Sequence, residues 1–196
     1  MIRQSWRFPR GGVPVGLEVA ERLVAPLDIL IVRKLGLPGQ PEVAIGAVAD
    51  GGQHEIVMNE DLLAKVNVPP FYIENEVVAK LQEVSRMHEI FQGSHPPPNL
   101  RGRTVIVVDD GIATGATMSV GIKRLKREKV KKIIVATPVA SKEAVALLEK
   151  EADAVISLNV PDVFMAVGDF YRDFSQVTNN EVTACLNQAR KHSVHR

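Results

Sequence analysis

Two adjacent carboxylates, Asp109 and Asp110, lead into a turn of small residues, Gly111-Ile112-Ala113-Thr114-Gly115-Ala116-Thr117-Met118. Backbone N–H groups in such a turn, with the dipole of a following helix, make an anion site. The threonine hydroxyls can add hydrogen bonds to phosphate oxygens. The carboxylates would repel a bare phosphate, so they are expected to face sugar hydroxyls or a hydrated Mg2+, which prefers hard oxygen donors. The segment therefore divides into a phosphate cradle and a sugar or metal end. It is neither the G-x-G-x-x-G dinucleotide fingerprint nor the G-x-x-x-x-G-K-[ST] nucleotide loop. The competing reading is a plain strand–turn–helix junction with Gly and Thr as turn and cap residues.

Three other groups of residues carry chemistry. Pro9-Arg10-Gly11-Gly12 precedes a helical pattern; its glycines allow close approach of backbone to a ligand, and Arg10 can add a charge-assisted hydrogen bond. Taken alone, such a turn reads better as an ordinary loop, and beside the acidic pair and its turn the binding reading becomes the better one. Arg33-Lys34 closes an apolar run, where the cations either meet a polyanion or are solvated. Pro161 to Phe174 concentrates aromatics in a chain with only 5% of them. Phe164, Phe170 and Tyr171 are candidates to stack on a planar base, or else form a satellite hydrophobic cluster. The 5 histidines show no metal-ligand spacing, so no structural metal is expected.

The elements that must position these groups alternate between strand and helix. Thr104-Val105-Ile106-Val107-Val108 reads as a buried strand running into the acidic pair, and Val120 and Leu125 give the next segment helical spacing. Pro14–Ala25, Glu143–Lys150 and Asn180–Lys191 read as helices; Leu27–Val32, Lys132–Thr137 and Ala154–Leu158 read as strands. The pattern predicts an α/β fold with a doubly wound, mainly parallel sheet and helices on both faces, in one domain over 1–196. In such sheets ligands bind beyond the carboxyl ends of the strands, where Asp109 and Asp110 fall. The alternation is interrupted at about 35–72, where Ala44–Val48 and His54–Met58 flank Asp50-Gly51-Gly52, a hairpin signal. A lid is one reading of this segment and an ordinary hairpin is the other. A helix from about Ile73 to Phe91 follows, with Val77, Leu81, Val84, His88 and Phe91 on one face, and then a proline-rich linker, Ser94–Asn99.

The central segment resembles the phosphoribosyl-pyrophosphate (PRPP) loop of type I phosphoribosyltransferases: an apolar strand, two acidic residues, a short variable stretch, then Thr-Gly-x-Thr, here Thr114 to Thr117. The resemblance extends to the Arg-Gly-Gly turn, the Arg-Lys strand end, the hairpin and a hood-like segment at about 159–178. It implies transfer of the 5-phosphoribosyl group of PRPP to a nitrogenous base with release of pyrophosphate. The ribose or Mg2+ would face Asp109 and Asp110, and the 5'-phosphate would lie on Gly111, Ile112, Ala113, Thr114, Gly115, Ala116 and Thr117. The pyrophosphate would meet Arg10, Gly11, Gly12, Arg33 and Lys34, and the base would meet Phe164, Phe170 and Tyr171. Mg2+ would enter with PRPP. A PRPP- or nucleotide-sensing protein without turnover is the alternative. Two departures matter. Ala113 stands where hypoxanthine-guanine enzymes place an acidic residue, which removes that route of proton exchange with the base. Arg3, Gln4, Ser5 and Arg7 interrupt the expected first strand, which is then short, at an edge, or truncated.

Composition narrows the partners. A formal net charge of +1 over 196 residues gives no broad basic field for nucleic acid. The basic stretch Ala189–Arg196 is expected to be a frayed, solvated tail. No run approaches the ~20 apolar residues that cross a membrane, and the start lacks the apolar core of a secretion signal. Cys185 is the only cysteine, is expected to be a small buried side chain, and fits a reducing, cytoplasmic setting. Homo-oligomerisation is left open.

Overall fold

The computed structural model of the chain describes residues 2–6, 11–49, 55–93 and 98–194. In chain order the elements are β1 (Ile2–Trp6), α1 (Gly12–Leu23), β2 (Val32–Leu37), β3 (Gln40–Ala49), β4 (Glu55–Met58), α2 (Glu60–Leu63) and α3 (Pro70–Phe91). They continue with β5 (Thr104–Val108), α4 (Ala116–Arg127), β6 (Lys132–Val139), α5 (Lys142–Leu148), β7 (Ala154–Asn159) and α6 (Asn179–Val194). Strands β1, β5, β6 and β7 form a parallel sheet in that order.

Strand β5 shows why the sheet needs cover on both sides. Alternate side chains leave opposite faces, and nearly all of Val105 to Val108 is buried. Ile106 and Val108 pack with Val13 and Leu17 of α1, Val84 and Phe91 of α3, and Val182 and Leu186 of α6. Val105 and Val107 pack with Met118, Ile122 and Leu125 of α4 and Ala144 and Leu148 of α5. Helices therefore cover both faces, as the strand–helix alternation implies. The first strand is short and ends the sheet, pairing Ile2 with Thr104 and Trp6 with Val108.

A second, antiparallel sheet holds β2, β3 and β4. Here the structure corrects the expected strand at Leu27–Val32, because the ladder starts only at Val32. Leu27, Ile29, Leu30 and Ile31 are buried, but Asp28 organises the stretch through side-chain bonds. Its Oδ1 accepts from the Ile29 amide at 2.8 Å and from Gln92 Nε2 at 2.8 Å. Leu30, Val32, Ala47 and Ala49 then bury against Val120 of α4. The hairpin is thus one wall of a layer that also includes α4. The Asp50-Gly51-Gly52 turn and residues 94–97 of the linker lie outside the described residues.

The basic C-terminal stretch is not a frayed tail as far as it is described. Helix α6 continues to Val194, Ala189 is buried, and Arg190 Nη2 donates to the Phe91 carbonyl at 3.4 Å. The apolar stripe of Val182, Leu186 and Ala189 explains this, since it docks on α1 and α3 and holds the helix in place. Cys185 is half-buried and packs at the edge of that core. Burial, then the nearby Glu181 carboxylate, pushes its thiol pKa up, which suits a packing role.

Candidate functional site

Asp109 follows directly on β5, and its amide extends the ladder by donating to the Ala136 carbonyl at 3.2 Å. Asp109 is 2% exposed, and its Oδ1 accepts from the Asp110 amide at 3.2 Å. The turn after Asp110 is pinned from the neighbouring strand end. Ile112 donates to Val139 O at 2.9 Å, and Ser141 N donates to Ile112 O at 2.9 Å. The Ser141 hydroxyl donates to the Ala113 carbonyl and accepts from the Ala144 amide at 3.0 Å, so one side chain fixes the turn and caps α5. Sequence reasoning missed Ser141. A helix cap was readable from Ser141-Lys142-Glu143, but its reach across to Ala113 was not.

The turn then opens. Ala113, Thr114 and Ala116 are exposed, and Gly115 has φ +72°, a left-handed conformation that favours glycine and starts α4. Among the described residues the amides of Ala113, Thr114 and Gly115 donate to no other backbone or side-chain group. Thr114 Oγ1 accepts from the Ala116 amide at 3.4 Å. Thr117 is buried on the first turn of α4. These amides lie at a helix N-terminus, where open N–H groups and the helix dipole favour an anion.

The glycine turn before α1 meets the acidic pair directly. A methyl group on Gly12 would lie 3.0 Å from Asp109 Oδ1, 3.1 Å from Asp109 Cα and 3.3 Å from Val108 O, and one on Gly11 would fall on Asp110 Oδ2. Only hydrogen atoms fit between the two segments. Arg10 lies outside the described residues.

The structure separates Arg33 from Lys34. Consecutive strand residues face opposite sides. Arg33 turns to α3, where Nε pairs with Glu83 Oε2 at 3.2 Å and the guanidinium also donates to Met87 Sδ. Lys34 faces a cavity of about 460 Å3 that also takes in Ala116 and Thr117 at the start of α4. Gly11, Gly12, Asp109 and Asp110 do not line that cavity.

The hood-like segment docks on the same loop. A methyl group on Gly111 would collide with Val167, in the 3-10 turn Val167–Phe170. Phe164 and Phe170 stack with centroids 5.6 Å apart, and Tyr171 and Phe174 lie 5.2 Å apart. Tyr171 does more than offer a ring, because its hydroxyl donates to the Asp110 carbonyl at 2.6 Å. Burial, then the carboxylates of Asp110 and Asp109, push its pKa from 10.0 up to about 12. The native protein therefore holds this proton more tightly than the unfolded chain. The stability it contributes is present below pH 10.0 and is lost as the pH climbs towards about 12. In Tyr72→Phe protein, where Tyr171 is the remaining tyrosine, tyrosinate absorbance is expected to develop nearer pH 12 than pH 10. An ordinary titration midpoint would remove the contact from the account.

No group of three or more His, Cys, Asp or Glu suited to a metal occurs among the described residues. None of the described helices is long and apolar enough to cross a membrane.

Comparison with known proteins identifies a family and a fold. The phosphoribosyl transferase domain family matches residues 8–175. The chain is 40% identical over 184 residues to a Mycobacterium tuberculosis protein carrying a provisional phosphoribosyl transferase name, covering 94% of this chain and 41% of that one. It thus spans about two fifths of the length of that curated relative. The crystal structure of the protein TT1426 from Thermus thermophilus is 39% identical, with a TM-score of 0.77 over 95% of this chain and 86% of that one.

Proposed function

Since the chain belongs to the phosphoribosyl transferase domain family, we propose that it transfers the 5-phosphoribosyl group of PRPP to a nitrogenous base and releases pyrophosphate. The observation that carries this reading is the packing of the Gly11–Gly12 turn on Asp109 and Asp110. It brings two segments distant in sequence to the carboxyl end of β5, with the anion cradle beside them. The 5'-phosphate rests on the amides of Ala113, Thr114 and Gly115, within the Gly111–Thr117 loop. The acidic pair faces the ribose hydroxyls, and the pyrophosphate lies towards Gly11, Gly12 and Arg10. Arg33 is held by Glu83, so Lys34 is the member of its pair better placed to reach a phosphate at the start of α4.

The residues act by position and charge. The base nitrogen attacks C1 as the bond to pyrophosphate breaks, through an oxocarbenium-like transition state. Holding both reactants in line and stabilising the developing charges is the protein's contribution. Asp109 and Asp110 supply adjacent hard oxygen donors that fit Mg2+, which would be completed by PRPP oxygens and water. When bound, Mg2+ would supply positive charge to offset that of the pyrophosphate group. Phe164 and Phe170 offer ring faces to the base, and Tyr171 holds the loop by its hydroxyl. Ala113 has no side chain to exchange a proton with the base, and its carbonyl is occupied by Ser141.

The direct test incubates the protein with PRPP, Mg2+ and a panel of purine, pyrimidine and other nitrogen bases, following pyrophosphate release. Release with at least one base is expected. PRPP binding without turnover on any base overturns the transferase reading, and absence of PRPP binding overturns the site itself. Ser141→Ala supplies a narrower check. Losing the cap is expected to cost about 1 kcal/mol of stability, seen in thermal melts, and to weaken PRPP binding. Ser141→Thr should restore both, because it keeps the hydroxyl.

A further inference from the structure

Strand β7 ends the parallel sheet, and its outer edge has no neighbouring strand among the described residues. Two bonds show how its backbone is divided. Asp153 N donates to Ile133 O at 2.9 Å, and Asn159 O accepts from Ala140 N at 3.1 Å. Successive residues of a strand turn their N–H and C=O groups to opposite sides. The odd-numbered residues therefore face β6, while Ala154, Ile156 and Leu158 turn their backbone groups outward. The side chains of these three also share a face. Val155 packs into the cluster under α4 and α5, so its neighbours leave the sheet on the other side. The helices there leave the two large ones open: Ile156 is 52% exposed and Leu158 85%. Val163 and Met165, 72% and 82% exposed, continue the apolar surface into the hood-like segment.

Soluble proteins usually blunt such an edge with charge or proline. From Ala154 to Val160 the strand carries neither. An exposed apolar face beside outward backbone groups suits the addition of another strand. The order of residues in β7 favours its own copy. The small residue, Ala154, lies before Ile156 and the bulky Leu158 lies after it, so an antiparallel copy sets large against small. With a two-fold axis at Ile156, Leu158 meets the partner's Ala154, and Ile156 meets the partner's Ile156. The same register turns Lys150, six positions before Ile156, towards the partner's Asp162, six positions after it. Both of these charged side chains are exposed in the single chain.

We propose that β7 pairs with the β7 of a second copy, antiparallel about a two-fold axis at Ile156, and joins the two parallel sheets into one. Such a contact uses the same surface on both copies, so it closes at a dimer. It does not rest on the transfer reaction. Asp109 and Asp110 follow β5, two strands inside the edge, so each copy keeps its own site.

Sedimentation velocity on the full chain at micromolar concentration is expected to give a species of twice 21.4 kDa. Leu158→Lys changes a solvent-facing side chain and should weaken dimerisation at least tenfold, with the far-ultraviolet circular dichroism unchanged. Disulfide trapping reads the register, in a Cys185→Ala background that removes the native thiol. Ile156→Cys should cross-link two copies, because directly opposed hydrogen-bonded residues have Cα atoms about 5.5 Å apart, within the span of a disulfide. Leu158→Cys should not, because the two copies of residue 158 stand four positions apart along the strands, or ~13 Å. Ala154→Cys together with Leu158→Cys should cross-link again. A chain that stays monomeric at its highest soluble concentration overturns the proposal and assigns the edge to a different partner. A dimer indifferent to Leu158→Lys, or one trapped as readily by Leu158→Cys as by Ile156→Cys, overturns this interface. Pyrophosphate release from PRPP is measured on the same Leu158→Lys protein, so failure of the transferase reading is seen separately from failure of the dimer.

Discussion

Asp109→Asn combined with Asp110→Asn is expected to lower kcat/KM for PRPP by ~100-fold or more while the protein still melts within about 3 °C of wild type. The two halves of this expectation have different causes. Hydrogen bonds to charged groups are worth about 1.5–3 kcal/mol each, and both carboxylates would lose charge opposite the ribose hydroxyls and Mg2+. The fold is spared because Asn keeps an Oδ1 that can accept from the Asp110 amide, as Asp109 now does at 3.2 Å. The backbone amide of Asp109 still extends the β5–β6 ladder to Ala136. Saturation curves for PRPP and thermal melts on the same preparation provide the check. Wild-type affinity in the double variant would count against the assigned role of the pair.

The second large effect separates two neighbouring glycines. Gly12→Ala places a methyl group against Asp109 Cα and the Val108 carbonyl, which are backbone and cannot turn aside. Overpacking of that kind costs about 1–3 kcal/mol, which for a chain of this size lowers the melting temperature by ~2–4 °C per kcal/mol. It also pushes the N-terminus of α1 off the end of β5, so PRPP binding falls with stability. Gly11→Ala meets only the carboxylate of Asp110, which can rotate away. That variant is expected to melt near the wild-type temperature yet bind PRPP at least ~10-fold more weakly, because the displaced carboxylate no longer faces the ribose. The reverse order, with Gly11→Ala unstable and Gly12→Ala benign, would contradict the packing of the two turns.

Much of this site was legible because its signals are local. The run Thr104–Val108 has one face for each helical layer, and the acidic pair followed by small residues marks the turn into α4. Elements whose roles depend on distant partners were not legible. Leu27–Ile31 is as apolar as a strand, yet Asp28 draws it into side-chain bonds with Gln92, far along the chain. Arg33 and Lys34 look equivalent as text, but the pleat sends one to Glu83 and the other to the cavity. Tyr171 was readable as an aromatic surface, while its hydroxyl contact with the Asp110 carbonyl depends on how the hood folds back. The basic residues after Ala189 suggested a solvated end, and the apolar stripe beneath them prevailed.

The burial of Leu30, Val32, Ala47 and Ala49 against Val120 has a mechanical consequence. The root of the hairpin is clamped to the helix that carries the phosphate loop, so it cannot swing as a rigid flap without dragging that loop along. Any closing motion must bend farther out, at the register break between Leu35 and Leu37, where the Gly36 amide reaches Glu76 Oε1 only at 3.5 Å. Amide hydrogen exchange should therefore be slow at Val32 to Leu35 and Ala47 to Ala49 and faster from Gly36 to Ala44. Uniform protection along β2 and β3 would make the whole hairpin a fixed wall. In the graded case the outer part of the hairpin moves like a latch on a fixed post.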